Sequence, residues 1–190
     1  MTQEYQIAQL LRIAKEQLAY CEYIESYPKK VGKRNFDTVQ LLDQFYKNIH
    51  NVCFFDGLLI VGNLLNKDPR VMSFWNWPEF RAVKENKIQM FTDKYEGDGL
   101  KEVRDQIAAH IDTTNRNNNF PDSRRRGMIN DILVQKLLTI LNDLIAEFQD
   151  YTRQHSAPYS QQYFDITQAT EEVATAMEQA KPQMTDNYII

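Results

Sequence analysis

Apolar residues return every three or four positions along most of this chain, the period of a helix that buries one face. Over residues 3–26 Ile7, Leu10, Leu11, Ala14, Leu18 and Cys21 share one side, and Pro28 ends the segment. Asp37 or Thr38 is placed to cap a second helix whose Leu42, Phe45, Ile49, Val52 and Cys53 form a stripe. Residues 52–65 then turn apolar nearly all round, which predicts the most buried part of the fold. Residues 68–80 interrupt the pattern with Pro69 and Pro78, and Pro78 suits the first turn of a third helix running to about Tyr95. Gly97, Asp98 and Gly99 form a turn, with Asp98 a candidate cap, into a fourth helix over residues 100–112. After a polar run at 113–122, Ile129, Ile132, Leu133, Leu137, Ile140, Leu141, Leu144, Phe148 and Tyr151 predict a long core-facing helix over 128–151. Residues 156–160 stop it, and Val173, Ala176, Met177 and Ala180 give a thinner apolar face to a stretch over 166–180.

The expected fold is therefore all-α: a mostly antiparallel helical bundle of four to five main helices plus a peripheral C-terminal helix. Residues 1–156 would form the bundle and 157–190 a C-terminal extension with a frayed end. With 190 residues, 43% of them hydrophobic, the chain can bury one good core, and six glycines and six prolines are too few for the turns of a sandwich or barrel. The apolar run at 52–65 is shorter than the roughly 18–20 residues that a membrane-spanning helix needs, and it contains Asp56. An unpaired carboxylate in apolar surroundings is costly, so Asp56 is expected in a core salt bridge, at an edge, or orienting Arg104 or His110 from a neighbouring helix. Cys21 and Cys53 lie within helical apolar patterns without metal-ligand spacing, and no signal segment precedes the first helix. Buried free thiols in a reducing cytoplasm are the expected state.

Both tryptophans fall in the break at 68–80. Their rings can plug one end of the bundle, as large aromatics dominate core burial, or stack on nucleobases. The net charge of −4 is unevenly spread, because residues 165–190 hold five acids against Lys181 and so carry an excess equal to that of the whole chain. Residues 28–36 contain Lys29, Lys30, Lys33 and Arg34 without an acid. Residues 113–128 contain Arg116, Arg124, Arg125 and Arg126 against Asp122, and these arginines are either phosphate contacts or a solvated charge run opening the next helix.

Arg104, Asp105 and His110 are the residues most able to carry chemistry. Leu100, Val103, Ile107 and Ile111 fall on one stripe of their helix, with Arg104 and His110 flanking it at roughly 55° and 65° to either side. An arginine holds phosphate through a planar charged fork, and a histidine moves protons near neutral pH. The two are about 9 Å apart along one helix axis, so one helix alone presents them apart, and a second copy crossing nearby could close the gap. The bland reading is that they cap carbonyls or pair with acids at the border of the core. His50 and His155 lie on other helices without a carboxylate–histidine repeat, and no glycine-rich phosphate loop or nucleophile elbow occurs, so neither a metal nor another cofactor is expected.

The stretch from Arg104 to His110 resembles the motif of the HEPN superfamily of helical bundles: an arginine, usually a polar follower such as Asn, Asp or His, then a histidine after roughly four to six intervening positions. Here five residues intervene and the follower is Asp105. His110, Ile111 and Asp112, coming after Ala108 and Ala109, look similar to the abortive-infection-linked branch of bacterial HEPN-like proteins. The resemblance covers residues 3–155. It implies a homodimer in which Arg104 and His110 of two protomers meet at the interface, with Asp105 orienting them. It further implies RNA cleavage by attack of the ribose 2′-hydroxyl, without a metal, in a defence or toxin–antitoxin system with RNA and an antitoxin protein as partners. Some members of the superfamily have lost catalysis and serve as binding modules, and a structural dimerisation module is the remaining alternative.

Overall fold

A computed structural model describes residues 2–26, 36–111 and 131–155, with side chains described over 2–22, 48–105 and 132–155. Five helices account for most of it, and no strand occurs among the described residues: α1 (Gln3–Ser26), α2 (Phe36–Leu64), α3 (Pro78–Gly97), α4 (Leu100–Ile111) and α5 (Asp131–His155). The chain is an all-α bundle. The peripheral helix expected over 166–180 lies outside the described residues. No described helix is long and apolar enough to cross a membrane.

Helix α1 packs on α2 and α5, α2 also touches α4 and α5, and α3 bridges α4 and α5. Local contacts give the directions. Leu18 lies against Gly57 while Cys21 Sγ reaches the His50 carbonyl at 3.5 Å, so α1 and α2 run antiparallel. Lys84 of α3 pairs with Glu147 and Asp150 of α5, and Lys94 with Asp143, which sets those two helices antiparallel as well.

The second half of α2 is buried as its composition requires: Phe54, Leu58, Val61 and Leu64 are fully enclosed. Of the expected stripe, Leu42 and Phe45 lie outside the described side chains, and Val52 departs from it at 59% exposed. At about 100° per residue Val52 and Asp56 lie on the side of α2 opposite Phe54. Asp56 is accordingly exposed, which removes the core salt bridge and leaves the edge placement. On α5 the face of Leu137, Ile140, Leu141, Leu144, Phe148 and Tyr151 is buried, joined by Val134, Leu138 and Ile145. Ile132 is the exception at 65% exposed, because it falls half a turn round from Leu141. Cys21 and Cys53 are buried free thiols. Burial and then the Asp56 charge push the Cys53 pKa up.

The α2–α3 connection is ordered by its own polar groups. Phe74 N–H donates to the Leu64 carbonyl at 2.9 Å, capping the end of α2. Asn76 Nδ2 ties the carbonyls of Asp68 and Val71 at 2.7 and 2.8 Å. Pro78 sits at the first turn of α3, where its missing N–H costs no hydrogen bond. Trp77 is buried, stacked on Phe80 at 5.1 Å and edge-on to Tyr151 at 5.1 Å, so it plugs the bundle and offers no free face for a base. Trp75 is half-buried, with its Nε1 on Thr92 Oγ1 at 3.3 Å and the Lys67 ammonium 4.4 Å above its ring.

Asp98 does not cap α4. Gly99, at φ +79°, is the residue whose carbonyl accepts the first bond of α4, from Val103 N–H. Asp98 instead closes the end of α3 and pairs with Lys136 of α5 at 3.2 Å.

The most enclosed charge cluster clamps α3 to α5: Lys84, 15% exposed, lies 2.8 Å from Glu147 and 2.6 Å from Asp150, and Lys87 lies 3.0 Å from Glu147. The hydrogen bond from Lys84 lowers the Asp150 pKa. Burial pushes Glu147 up, but the hydrogen bonds from Lys84 and Lys87 outweigh it and leave its pKa lowered. Hydrogen bonds to Asp150 and Glu147 raise that of Lys84. Lowered carboxylate pKa values contribute stability that is present above the ordinary carboxylate range and lost as pH falls through the folded-state values. Lys84→Met is therefore expected to lower stability by about 1–2 kcal/mol near pH 7. In thermal melts the gap from the parent should shrink below about pH 4, and a gap unchanged into acid would refute the clamp.

Candidate functional site

Helix α4 begins at Leu100, which is fully buried, and Val103 continues the packed side one turn on. Arg104 follows on the flank of that face. Its side chain is 19% exposed, enough for a ligand to reach the guanidinium while its stem stays packed. Both Nε and Nη2 donate to Asp105 Oδ1, at 3.0 and 2.7 Å. Asp105 Oδ2 lies 3.8 Å from Lys101 Nζ, so one exposed carboxylate is shared between two cations of the same helix. The expected contact between Asp105 and Arg104 is thus present. A guanidinium carries five N–H donors, and two go to Asp105.

Arg104 also crosses to α2, over Gly62. A Cβ placed on Gly62 would lie 2.9 Å from Arg104 Cδ, 3.1 Å from Arg104 Nη1 and 2.7 Å from Tyr95 Oη. Tyr95 is buried and donates its hydroxyl to the Leu58 carbonyl at 3.2 Å. Its pKa is pushed up by burial; the Arg104 charge opposes this and that of Asp105 adds to it, so the phenol is neutral at physiological pH. Three helices therefore converge on one point: α2 supplies a notch, α3 a phenol and α4 the arginine.

Neither Gly62 nor Tyr95 stands out from the helical period as a site residue. The available signal is a glycine inside a strongly apolar helix, where it costs about 1 kcal/mol relative to alanine and marks a close approach. Gly62→Ala regains that propensity but drives a methyl into a buried phenol, and overpacking costs about 1–3 kcal/mol. The expected result is a lower melting temperature together with a moved Arg104 side-chain Nε–Hε signal in ¹⁵N-resolved NMR. A variant more stable than the parent, with that signal in place, would show that the notch does not hold Arg104.

His110 lies within α4, and its side chain is outside the described residues. Arg116, Arg124, Arg125, Arg126 and Asp112 are also outside them, as are the basic stretch at 28–35 and the acidic tail. Asp56 is exposed on α2, and the carboxylate that orients Arg104 is that of Asp105. No group of three or more His, Cys, Asp or Glu able to hold a metal ion occurs among the described residues. Comparison with protein-family models, curated protein sequences and solved structures gives no match to this chain.

Proposed function

We propose that this chain is a metal-independent endoribonuclease of the HEPN type, acting in a bacterial defence or toxin–antitoxin system. Arg104 binds the scissile phosphate and offsets charge in the transition state, His110 transfers the proton, and Asp105 orients the arginine. Two copies associate so that an arginine and a histidine about 9 Å apart on one helix serve a single phosphodiester. The ribose 2′-hydroxyl attacks phosphorus and the 5′-oxygen leaves, giving a 2′,3′-cyclic phosphate and a 5′-hydroxyl. Arg116, Arg124, Arg125 and Arg126 are assigned as further phosphate contacts on their sequence alone.

One observation carries this reading: a guanidinium braced over Gly62 and by Asp105, part-exposed, with donors to spare, on the helix that holds His110. The same Asp105 pair favours a second reading, a non-catalytic binding module, because a neutralised arginine attracts phosphate less strongly. End-labelled single-stranded RNA incubated with the purified chain in EDTA separates them. Cleavage ending in cyclic phosphate, by a chain that light scattering shows to be dimeric, is expected. Intact RNA with a folded dimer would leave the binding module.

A further inference from the structure

Where α1 and α3 begin and α5 ends, a cleft of about 320 Å³ opens among residues 2–4, Trp77, Glu79, Tyr151 and His155. Small-ligand sites begin at about this size. It is built from α1, α3 and α5, whereas Arg104 sits on α4 against α2.

Tyr151 is 6% exposed, with its ring held edge-on by Trp77 and Phe80 and stacked on His155 at 4.3 Å. Its hydroxyl has no hydrogen-bond partner among the described residues, although a buried polar group left unsatisfied costs about 1–3 kcal/mol. Tyr151 lines the cleft together with Glu79 and Glu4, and burial, then Glu79, then Glu4 raise its pKa. Glu79 stands in the first turn of α3 and forms no ion pair among the described residues. His155 Nδ1–H donates to the Tyr151 carbonyl at 2.9 Å, and among the described residues the face of its exposed ring away from Tyr151 carries no ring contact. Among the described residues neither Lys nor Arg lines the opening. The cleft therefore offers the Glu79 carboxylate, which has no cation partner among the described residues, beside a phenol and an imidazole, and the described groups do not converge as metal ligands.

We propose that this cleft binds a small organic cation bearing a guanidinium group, its N–H fork on the Glu79 carboxylate and Tyr151 Oη and its plane against the free face of His155. A planar fork suits a carboxylate and also stacks on aromatic rings, which a compact ammonium does neither as well. An anion is repelled by the Glu79 carboxylate.

Agmatine titrated into the intact chain, followed by NMR of the His155 ring and Trp77 indole signals, tests this. Saturable one-to-one binding is expected. Putrescine, with an ammonium in place of the fork, should bind several-fold more weakly. Glu79→Gln should weaken agmatine binding tenfold or more. Tyr151→Phe should weaken it several-fold while leaving the melting temperature unchanged, because the hydroxyl has no internal bond to lose. Absence of agmatine binding, equal binding by Glu79→Gln, or binding of inorganic phosphate in its place would overturn the proposal. So would a large loss of stability in Tyr151→Phe, which would reveal an internal partner for the hydroxyl.

Discussion

Arg104→Ala and His110→Ala are each expected to reduce RNA cleavage by about 10²–10⁴-fold without loss of fold. Positioned proton transfer supplies about 10²–10⁴, and one preorganised donor to developing charge about 10²–10³. Because the two groups act on one phosphate, the double variant should be little worse than either single one. Arg104→Lys keeps the charge but loses the fork, so its activity should fall between those of the parent and Arg104→Ala. Mixing the two inactive variants is the sharper measurement. If each site takes its arginine from one copy and its histidine from the other, a mixed dimer has one site lacking both groups and one site intact. Random mixing makes half the dimers mixed, so activity should return to about a quarter of the parent's. If both groups came from a single copy, no combination would restore cleavage. Failure to recover activity would therefore sink the shared site even if each single variant were inactive.

The bundle was legible because packing, propensity and punctuation agree along most of it. Pro78 starts α3 where a helix tolerates a missing donor, and the three-and-four spacing on α5 marks the face that is buried. The errors share a cause. Val52 and Ile132 were placed on their stripes by hydrophobicity, whereas the angle about the helix axis decides which side a residue takes, and the same angle gives Asp56 its edge placement. Asp98 has the chemistry of a helix cap, but Gly99, at positive φ, is the residue next to Leu100 that caps α4, which leaves Asp98 to the end of α3 and to Lys136. Arg104 could be read from its place beside the apolar stripe of its helix, whereas its link to Asp105 comes from the resemblance, since residues one apart do not face each other on a helix. The notch at Gly62 could not, because it depends on three helices meeting and no period along one of them encodes that. The Tyr151 cleft was hidden for the same reason: Glu4, Glu79 and His155 come from three separate helix ends.

Phe80→Ala is expected to lower unfolding free energy by about 3–5 kcal/mol, the largest stability effect of any substitution considered. Phe80 is enclosed by rings on several sides: Phe74 at 4.8 Å, Trp77 at 5.1 Å and Tyr151 at 5.0 Å. The Phe74 backbone is held by its N–H bond to the Leu64 carbonyl and the Tyr151 ring by its stack with His155, so the void left by truncation cannot close by simple collapse. A site that cannot relax suffers the cavity cost in full as well as the lost transfer energy. A domain of this size is stable by about 5–15 kcal/mol, so the change removes a large share of the margin. The melting temperature should fall by about 6–20 °C. Val83→Ala, on the same helix but 55% exposed, is the control and should stay within about 0.5 kcal/mol of the parent. Urea denaturation of both variants measures the difference. A Phe80→Ala midpoint close to that of Val83→Ala, with an unchanged slope, would mean that the aromatic end of the bundle is not a tightly packed plug.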